Sequence, residues 1–170
     1  AFPRDYELTT QFDVVGIGHY DSYIVAATKG TPVIVSGIDP QSMSMLELPL
    51  NESCIASRSI VSMSHCVIYA SPNGLVMAYN NTAKLVTESF FDKDTWNALN
   101  PSSIHAVEHR GKYLFFYDTG SKQGAYLFDP MMVELGIVHL DIHAVSTYRD
   151  HETDTLYLLK NGGKVQTFDD

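Results

Sequence analysis

The sequence has 170 residues, of which 45% are hydrophobic and 18% are charged, and its formal net charge is −9. This composition excludes an intrinsically disordered chain and is sufficient for a domain with a buried core. The acidic balance argues against a protein that holds nucleic acid by its phosphates, because that affinity comes from lysine and arginine. No apolar run is long enough to predict a membrane-spanning helix.

Short β-rich runs dominate the chain. A strand is predicted at residues 5–10, and a first hairpin follows at residues 23–35. The second hairpin has the strongest local signal, because residues 66–70 and 75–79 flank a Ser-Pro-Asn-Gly turn in which Asn and Gly tolerate a positive φ. Two further hairpins of the same kind are predicted at residues 112–128 and 155–168.

The four hairpins recur with a nearly constant period. Their turn glycines lie at positions 30, 74, 120 and 163, so successive spacings are 44, 46 and 43 residues. Each hairpin has an earlier strand, predicted at residues 14–18, 59–63, 104–107 and 143–146. Three hairpins have a later strand, predicted at residues 45–48, 83–87 and 133–138, so a complete unit is a four-stranded meander. A period in the forties that carries short strands is typical of propeller blades. The sequence therefore predicts an all-β, β-propeller-like array of about four four-stranded antiparallel blades, with units near residues 11–50, 55–90, 104–141 and 143–170.

The final unit lacks a fourth strand, and this leaves two architectures open. The strand predicted at residues 5–10 could complete the final blade and close a single propeller over residues 1–170. Alternatively, that strand completes another blade, and the four units are part of a larger propeller. In both architectures the strand pairs with a sheet edge that would otherwise be unpaired, and proteins avoid such edges.

Residues 90–103 interrupt the strand pattern. Asp92 or Asp94 is suited to cap a short helix near residues 92–99, and Pro101 ends it. Phe90, Phe91 and Trp96 lie in this segment and are candidates for a partner interface, since aromatic residues are common binding anchors. The alternative is that Trp96 and Phe90 seal the seam between two blades.

One group of residues has metal-ligand chemistry. His139, Asp141 and His143 alternate with apolar residues, so in a strand they share one face. Imidazole and carboxylate groups are suitable zinc ligands, which makes these three weak candidates for a metal site. The alternative is an exposed polar face opposite Leu140 and Ile142. No cofactor is expected.

Glycines occur twice in the first strand of the first unit, at Gly16 and Gly18. The Gly-Ile-Gly segment is too short for a dinucleotide-binding loop, and no helix pattern follows it. We interpret these glycines as positions of close packing near the propeller axis, where the innermost strands crowd together.

A longer resemblance covers most of the chain from about Phe12 onward. The segments that carry it are SRSIV at 57–61, YASPNGLV at 69–76, KLVTE at 84–88, WNALNPSSIHA at 96–106 and FDP at 128–130. In this order they resemble a family of tail-associated virion proteins of tailed bacteriophages and prophages. Members of the family are longer than 170 residues, so the resemblance implies that this chain is a portion of a larger protein.

The resemblance implies a non-enzymatic structural role at the nozzle or hub of a phage tail. The expected partners are sister subunits in a ring, hexameric in typical nozzles, and other tail proteins, with double-stranded DNA passing without specific binding. The expected location is the virion, after synthesis in the bacterial cytoplasm. Two alternatives remain: a propeller that binds a ligand or host surface, and a propeller-scaffold hydrolase in which His19, His65 and His109 cluster at one end.

Overall fold

The structure, a computed structural model, describes residues 7–169. These residues form four small antiparallel sheets, one after another along the chain, arranged as the four blades of a β-propeller. The fold predicted from the repeat is therefore confirmed. The single α-helix in this part of the chain has six residues, and no helix there has the length and hydropathy to cross a membrane.

The strand boundaries follow the predicted meanders. Blade 1 contains β1 (Val14–Tyr20), β2 (Tyr23–Thr28), β3 (Val33–Ser36) and β4 (Ser44–Glu47). Blade 2 contains β5 (Val61–Ser62), β6 (Val67–Ser71), β7 (Gly74–Tyr79) and β8 (Thr82–Leu85). Blade 3 contains β9 (His105–His109), β10 (Lys112–Asp118), β11 (Gln123–Phe128) and β12 (Ile137–Leu140). Blade 4 contains β13 (Ser146–Asp150), β14 (Thr155–Leu159) and β15 (Val165–Thr167), and the helix α1 spans Lys93–Ala98.

Two predicted strands are displaced for identifiable reasons. The strand expected at 133–138 divides into a 3-10 turn, Val133–Leu135, and β12, because Gly136 between them has a left-handed φ of 85°. The strand expected at 143–146 begins only at Ser146, where β13 starts. The carbonyl of Ala144 is directed instead toward His105 on blade 3, so the backbone before β13 joins the seam between the blades.

The strand predicted at residues 5–10 is not formed over residues 7–10, which have no regular structure. There the Thr10 hydroxyl donates a hydrogen bond to the carbonyl of Phe12, which is a local contact and not part of a strand-to-strand hydrogen-bond ladder. Residues 1–6 lie outside the described part of the chain. Within residues 7–169, blade 4 has three strands.

The core lies in the seams between consecutive blades. Each blade presents a forward face to the next blade in the chain and a rear face to the previous one. The largest buried cluster fills the seam between blades 2 and 3, where Ile68, Leu75 and Met77 meet Tyr113 and Phe115. Smaller clusters fill the seam between blades 1 and 2 and the seam between blades 3 and 4.

The innermost strands crowd together where the glycines were predicted to allow it. A Cβ atom added at Gly18 would lie 2.7 Å from Val67 Cγ1, and one added at Gly16 would lie 2.6 Å from Ile60 Cδ1. Real Cβ atoms do not approach other atoms this closely, so a side chain at either position would require its neighbour to shift. The shift is costlier at Gly18, because Val67 is fully buried, than at Gly16, where the contact is the terminal methyl group of Ile60. The close-packing interpretation of the two glycines is confirmed.

We expect Gly18→Ala to lower the free energy of unfolding by about 1–3 kcal/mol, because the new methyl group overpacks the seam. Urea denaturation followed by circular dichroism measures this loss. Val67→Ala makes room for the methyl group, so the double variant should lose less stability than the sum of the two single variants. Additive losses would place the cause elsewhere than the contact with Val67.

Candidate interaction surfaces

The aromatic segment before blade 3 is part of the core. Helix α1 begins after Asp92, whose carboxylate accepts a hydrogen bond of 2.7 Å from the backbone N–H of Thr95. This cap turns Trp96 inward, where it is 1% exposed and its indole N–H donates to the Ser71 carbonyl at 3.0 Å. Trp96 therefore lies in the seam between blades 2 and 3 and offers no surface to a partner.

Phe90 and Phe91 join the same seam from its edge. The ring of Phe91 lies 5.1 Å from that of Tyr126 in an edge-to-face arrangement, and the ring of Phe90 lies 5.8 Å from that of Phe128. Both phenylalanines are half-buried. The seam-sealing alternative thus describes Trp96, whereas Phe90 and Phe91 pack at the edge of the seam and stay partly exposed.

The predicted metal ligands do not come together. Strand β12 ends at Leu140, so the alternation that would have placed His139, Asp141 and His143 on one face stops before Asp141. His139 Nε2 lies 3.2 Å from the Tyr117 hydroxyl, while Asp141 is exposed. Within residues 7–169 no group of three or more histidine, cysteine, aspartate or glutamate side chains has a metal-binding arrangement.

The three histidines of the hydrolase alternative are also separate. His109 is buried and lies 3.7 Å from the Asp169 carboxylate, whereas His19 and His65 are exposed. Among the described residues, no hydrogen bond or ring contact joins any two of these three side chains. These three histidines therefore do not form an acid–base pair with one another.

A different histidine has a perturbed environment. His105 Nε2–H donates to the Ala144 carbonyl at 2.5 Å, and its ring stacks on Phe116 with centroids 4.9 Å apart. Burial lowers the pKa of His105 to about 4, with smaller contributions from the charge of Arg58 and from His143. His105 is consequently neutral at pH 7 and ties the backbone before blade 4 to blade 3.

Several regions of the propeller contain cavities. One cavity of about 370 Å³ is polar and is lined by residues 55–58 and 102–104, and Arg58 beside it donates to the Val145 carbonyl at 2.7 Å. Elsewhere, two cavities of about 290 Å³ each share the lining residues His65, Cys66 and Met131. Burial raises the pKa of the Cys66 thiol to about 12, so this thiol is not a nucleophile at neutral pH.

Charged side chains hold blade 4 to blade 3. Arg149 on β13 pairs with Glu108 on β9 and, at 2.7 Å, with Asp154. Arg110 pairs with Asp169 at 3.2 Å and lies 3.7 Å from Asp154. These ion pairs bridge the turns at one end of the two blades, and they show that blade 4 is fixed to blade 3 by charge as well as by packing.

Apolar side chains are exposed on the rear face of blade 1. Strand pairing places His19, Ile24, Val35 and Met45 in one row across this face, with Ile17 beside them. Ile17 is 67% exposed and Ile24 is 39% exposed, although Ala26 and Val33 on the same face are covered. We call the group Ile17, Ile24, Val35 and Met45 open face 1.

The forward face of blade 4 is exposed in the same way. Tyr148 is 67% exposed and Val165 is 60% exposed, and Tyr157 and Leu159 beside them are half-buried. The rings of Tyr148 and Tyr157 stack at 6.4 Å, and the four side chains line a shallow cavity of about 220 Å³. We call this group open face 4.

Corresponding side chains inside the array are completely covered. On the second strands of blades 2 and 3, the rear faces carry Val67, Tyr69, Tyr113 and Phe115, all with 0% exposure. The innermost strands lie side by side in the order β1, β5, β9 and β13, and no comparable contact joins the described strands β13 and β1. Within residues 7–169, the rear face of blade 1 and the forward face of blade 4 are therefore less covered than the faces that meet in the three inner seams.

Further apolar side chains are exposed in the loops that join third and fourth strands. Ile38, between β3 and β4, is 95% exposed, and Met131 and Leu135, between β11 and β12, are also exposed. Both loops leave the blades at the same end, because the strands of every blade run in the same antiparallel order. This end of the propeller thus has an apolar rim.

The sequence pattern did not distinguish these surfaces from the core. Residues of the β1 and β13 strands alternate as those of inner strands do, and only the position of blades 1 and 4 at the ends of the array exposes them.

A scan against protein-family models and a search of curated proteins found no match for the chain. The fold and the exposed residues define a β-propeller with apolar surfaces at both ends of its blade array.

Proposed function

We propose that the chain is a non-enzymatic structural protein of a bacteriophage tail, of the nozzle or hub type. In this role it assembles with sister copies and with other tail proteins around the path by which DNA leaves the particle. The observation that carries the proposal is the exposure of apolar side chains on open face 1 and open face 4. The resemblance of segments 57–61, 69–76 and 96–106 to tail-associated virion proteins supports the choice of particle.

The exposed apolar side chains of open face 1 and open face 4 favour an assembly role. Contiguous apolar patches are uncommon on monomeric proteins, and they mark surfaces that become covered by a partner. Here the exposed residues include Tyr148, and tyrosine is among the residues enriched at protein interfaces. The apolar rim at Ile38, Met131 and Leu135 supplies a second surface, which in this proposal contacts other tail proteins.

The charge of the chain is compatible with a DNA conduit. A net charge of −9 repels phosphates, so DNA can slide past such a surface, whereas a basic lining would hold it. The protein would be synthesised in the bacterial cytoplasm and would act in the virion, where it meets DNA only during passage.

Purified particles provide the test. Tailed particles are isolated by gradient centrifugation from cells that carry the gene, and the chain is identified by mass spectrometry and by gold-labelled antibodies viewed in the electron microscope. We expect its peptides in the particle fraction and the label on the tail, while an abundant cytoplasmic protein of the same cells stays in the soluble fraction. Recovery of the chain only with the soluble proteins contradicts the proposed function.

A further inference from the structure

We propose that Asn161 is a site of spontaneous covalent modification, in which its side-chain amide becomes a carboxylate through a cyclic imide formed with the backbone nitrogen of Gly162. The sequence has a second Asn-Gly pair, Asn73-Gly74, with the same intrinsic chemistry. The fold protects that second pair and leaves the first one free to react. This inference concerns one turn of blade 4 and does not depend on the proposed function.

The reaction needs only water as a second reactant. The Gly162 nitrogen loses its proton and attacks Cγ of Asn161, so a new C–N bond forms, the bond from Cγ to Nδ2 breaks, and ammonia leaves. Water then opens the cyclic imide at one of its carbonyl carbons. Opening at Cγ gives aspartate, whereas opening at the backbone carbonyl carbon gives isoaspartate, in which the chain continues through Cγ. The net change is the hydrolysis of an amide, without oxidation or reduction.

The turn between β14 and β15 leaves both reacting groups free. Asn161 and Gly162 are exposed, and within residues 7–169 neither the Asn161 side-chain amide nor the Gly162 N–H has a hydrogen-bond partner. The bonds that close the turn involve its other residues: the Lys160 N–H donates to the Lys164 carbonyl at 2.7 Å, and the Gly163 N–H donates to the Lys160 carbonyl at 3.2 Å. The turn is therefore held at its base, while the groups that must react remain unrestrained.

Gly162 presents no steric obstacle to ring closure. Its φ is 83° and that of Gly163 is 81°, and glycine leaves this left-handed conformation more readily than other residues. A Cβ atom added at Gly162 would have no atom within 4 Å beyond its chain neighbours, so no other part of the described chain is packed there. Lys160 and Lys164 flank the turn, and nearby positive charge favours the loss of the amide proton.

Asn73-Gly74 is the matched comparison inside the same chain. Nδ2 of Asn73 donates a hydrogen bond of 2.7 Å to the Glu52 carboxylate, which restrains the side chain. Gly74 is buried, begins β7 and pairs with Ser71 across the hairpin. A Cβ atom added at Gly74 would lie 2.7 Å from the Thr87 hydroxyl oxygen, so this backbone is closely packed. Ring closure at Asn73 therefore requires local opening of blade 2.

The rates at the two sites should differ strongly only in the folded chain. The hydrogen bond from Asn73 to a carboxylate must break before ring closure, which alone slows the reaction by about tenfold. The pairing and burial of Gly74 add to this protection. In the denatured chain both asparagines are followed by glycine and neither is protected, so their rates should become similar.

The modification also changes a turn that sets the position of a strand. Each event adds one negative charge, and the isoaspartyl product adds a methylene group to the backbone between β14 and β15. Strand β15 contains only Val165–Thr167, which pair with β14. Because turn length fixes the register of a hairpin, the isoaspartyl product is expected to weaken the pairing of β15.

Timed incubation of the full chain in water enriched in the heavy oxygen isotope tests the proposal. The folded protein is incubated at neutral or mildly alkaline pH and digested in ordinary water, and the peptides that contain Asn161 and Asn73 are quantified by mass spectrometry. The heavy isotope marks hydrolysis that occurred during the incubation. We expect labelled aspartyl and isoaspartyl peptides at Asn161, faster at the higher pH because the Gly162 nitrogen must lose its proton. Asn73 should give about a tenth of this label or less.

Two variants serve as controls. Asn161→Gln lengthens the side chain by one methylene group and disfavours ring closure, so position 161 should gain no label over the same period, while Asn73 keeps its slow rate. Glu52→Ala removes the acceptor of the Asn73 amide and should raise the conversion of Asn73, whereas Glu52→Gln keeps an acceptor oxygen and should raise it less. Circular dichroism checks that each variant is folded.

Three results would overturn the inference. Equal conversion at Asn73 and Asn161 in the folded chain would show that the fold does not distinguish the two pairs. Label at Asn161 only after denaturation would show that the turn of blade 4 is protected as well. A rate at Asn161 that does not rise with pH would contradict attack by the Gly162 nitrogen. These results leave the proposed function untouched, since that is judged by the presence of the chain in tailed particles.

Discussion

Trp96→Ala is expected to lower the free energy of unfolding by about 3–5 kcal/mol, the usual cost of removing a large buried aromatic side chain. Trp96 fills the seam between blades 2 and 3, with its ring 6.0 Å from that of Phe91 and 6.2 Å from that of Phe115. The substitution leaves a cavity between the blades and removes the hydrogen bond to the Ser71 carbonyl. Urea denaturation followed by far-ultraviolet circular dichroism measures the loss.

Trp96→Phe serves as the control for this variant. Phenylalanine retains an aromatic ring in the seam and loses the indole N–H, so it should cost less than alanine but leave the Ser71 carbonyl without that donor. A loss below about 1 kcal/mol for Trp96→Ala would contradict the role of Trp96 as the main filler of this seam.

The stability of the protein should fall by about 3 kcal/mol between pH 6.5 and pH 4 because of His105. Burial lowers the pKa of this imidazole from 6.5 to about 4 in the folded protein. The unfolded chain therefore binds a proton in this range that the folded chain does not, and stability is lost progressively as the pH falls. Below about pH 4 both states are protonated, so His105 contributes no further loss.

The pH dependence is measured as denaturant midpoints from pH 7 to pH 4, with His105→Gln as the control. Glutamine places an N–H donor near the position of Nε2 and does not titrate, so the variant should lose less stability over this range than the natural sequence. His143 also has a pKa lowered by burial and remains in both proteins, so the difference between the two curves isolates His105. Parallel curves would show that His105 is not the group responsible.

The fold could be predicted from the sequence because a propeller repeats its signals. The Asn73-Gly74 turn predicted the hairpin of β6 and β7, and recurring glycines at similar spacing extended this to four blades. The predicted strand boundaries were wrong where a local backbone conformation or contact interrupted the strand pattern. Gly136 divides one expected strand with its left-handed φ, and the bond between His105 and Ala144 delays the start of β13.

The candidate surfaces were harder to predict, because their character depends on what lies opposite. From the sequence, Trp96 could be an interface anchor or a core residue. The structure shows that it is a core residue, because α1 places its side chain in the seam between blades 2 and 3. His139, Asp141 and His143 have the chemistry of ligands, but chain geometry after Leu140 separates them. Tyr148 and Ile17 have the pattern of inner-seam residues, and the sequence has no signal that both side chains are exposed.

The succession of seams also has a consequence for how the chain folds. Because each blade packs mainly on its neighbours along the sequence, the molecule behaves as a short one-dimensional array, in which order spreads from a first ordered pair. The seam between blades 2 and 3 holds the largest buried cluster, so that pair is the natural nucleus. Blades 1 and 4 each pack on one neighbouring blade within residues 7–169, so they are expected to become ordered last and to open first.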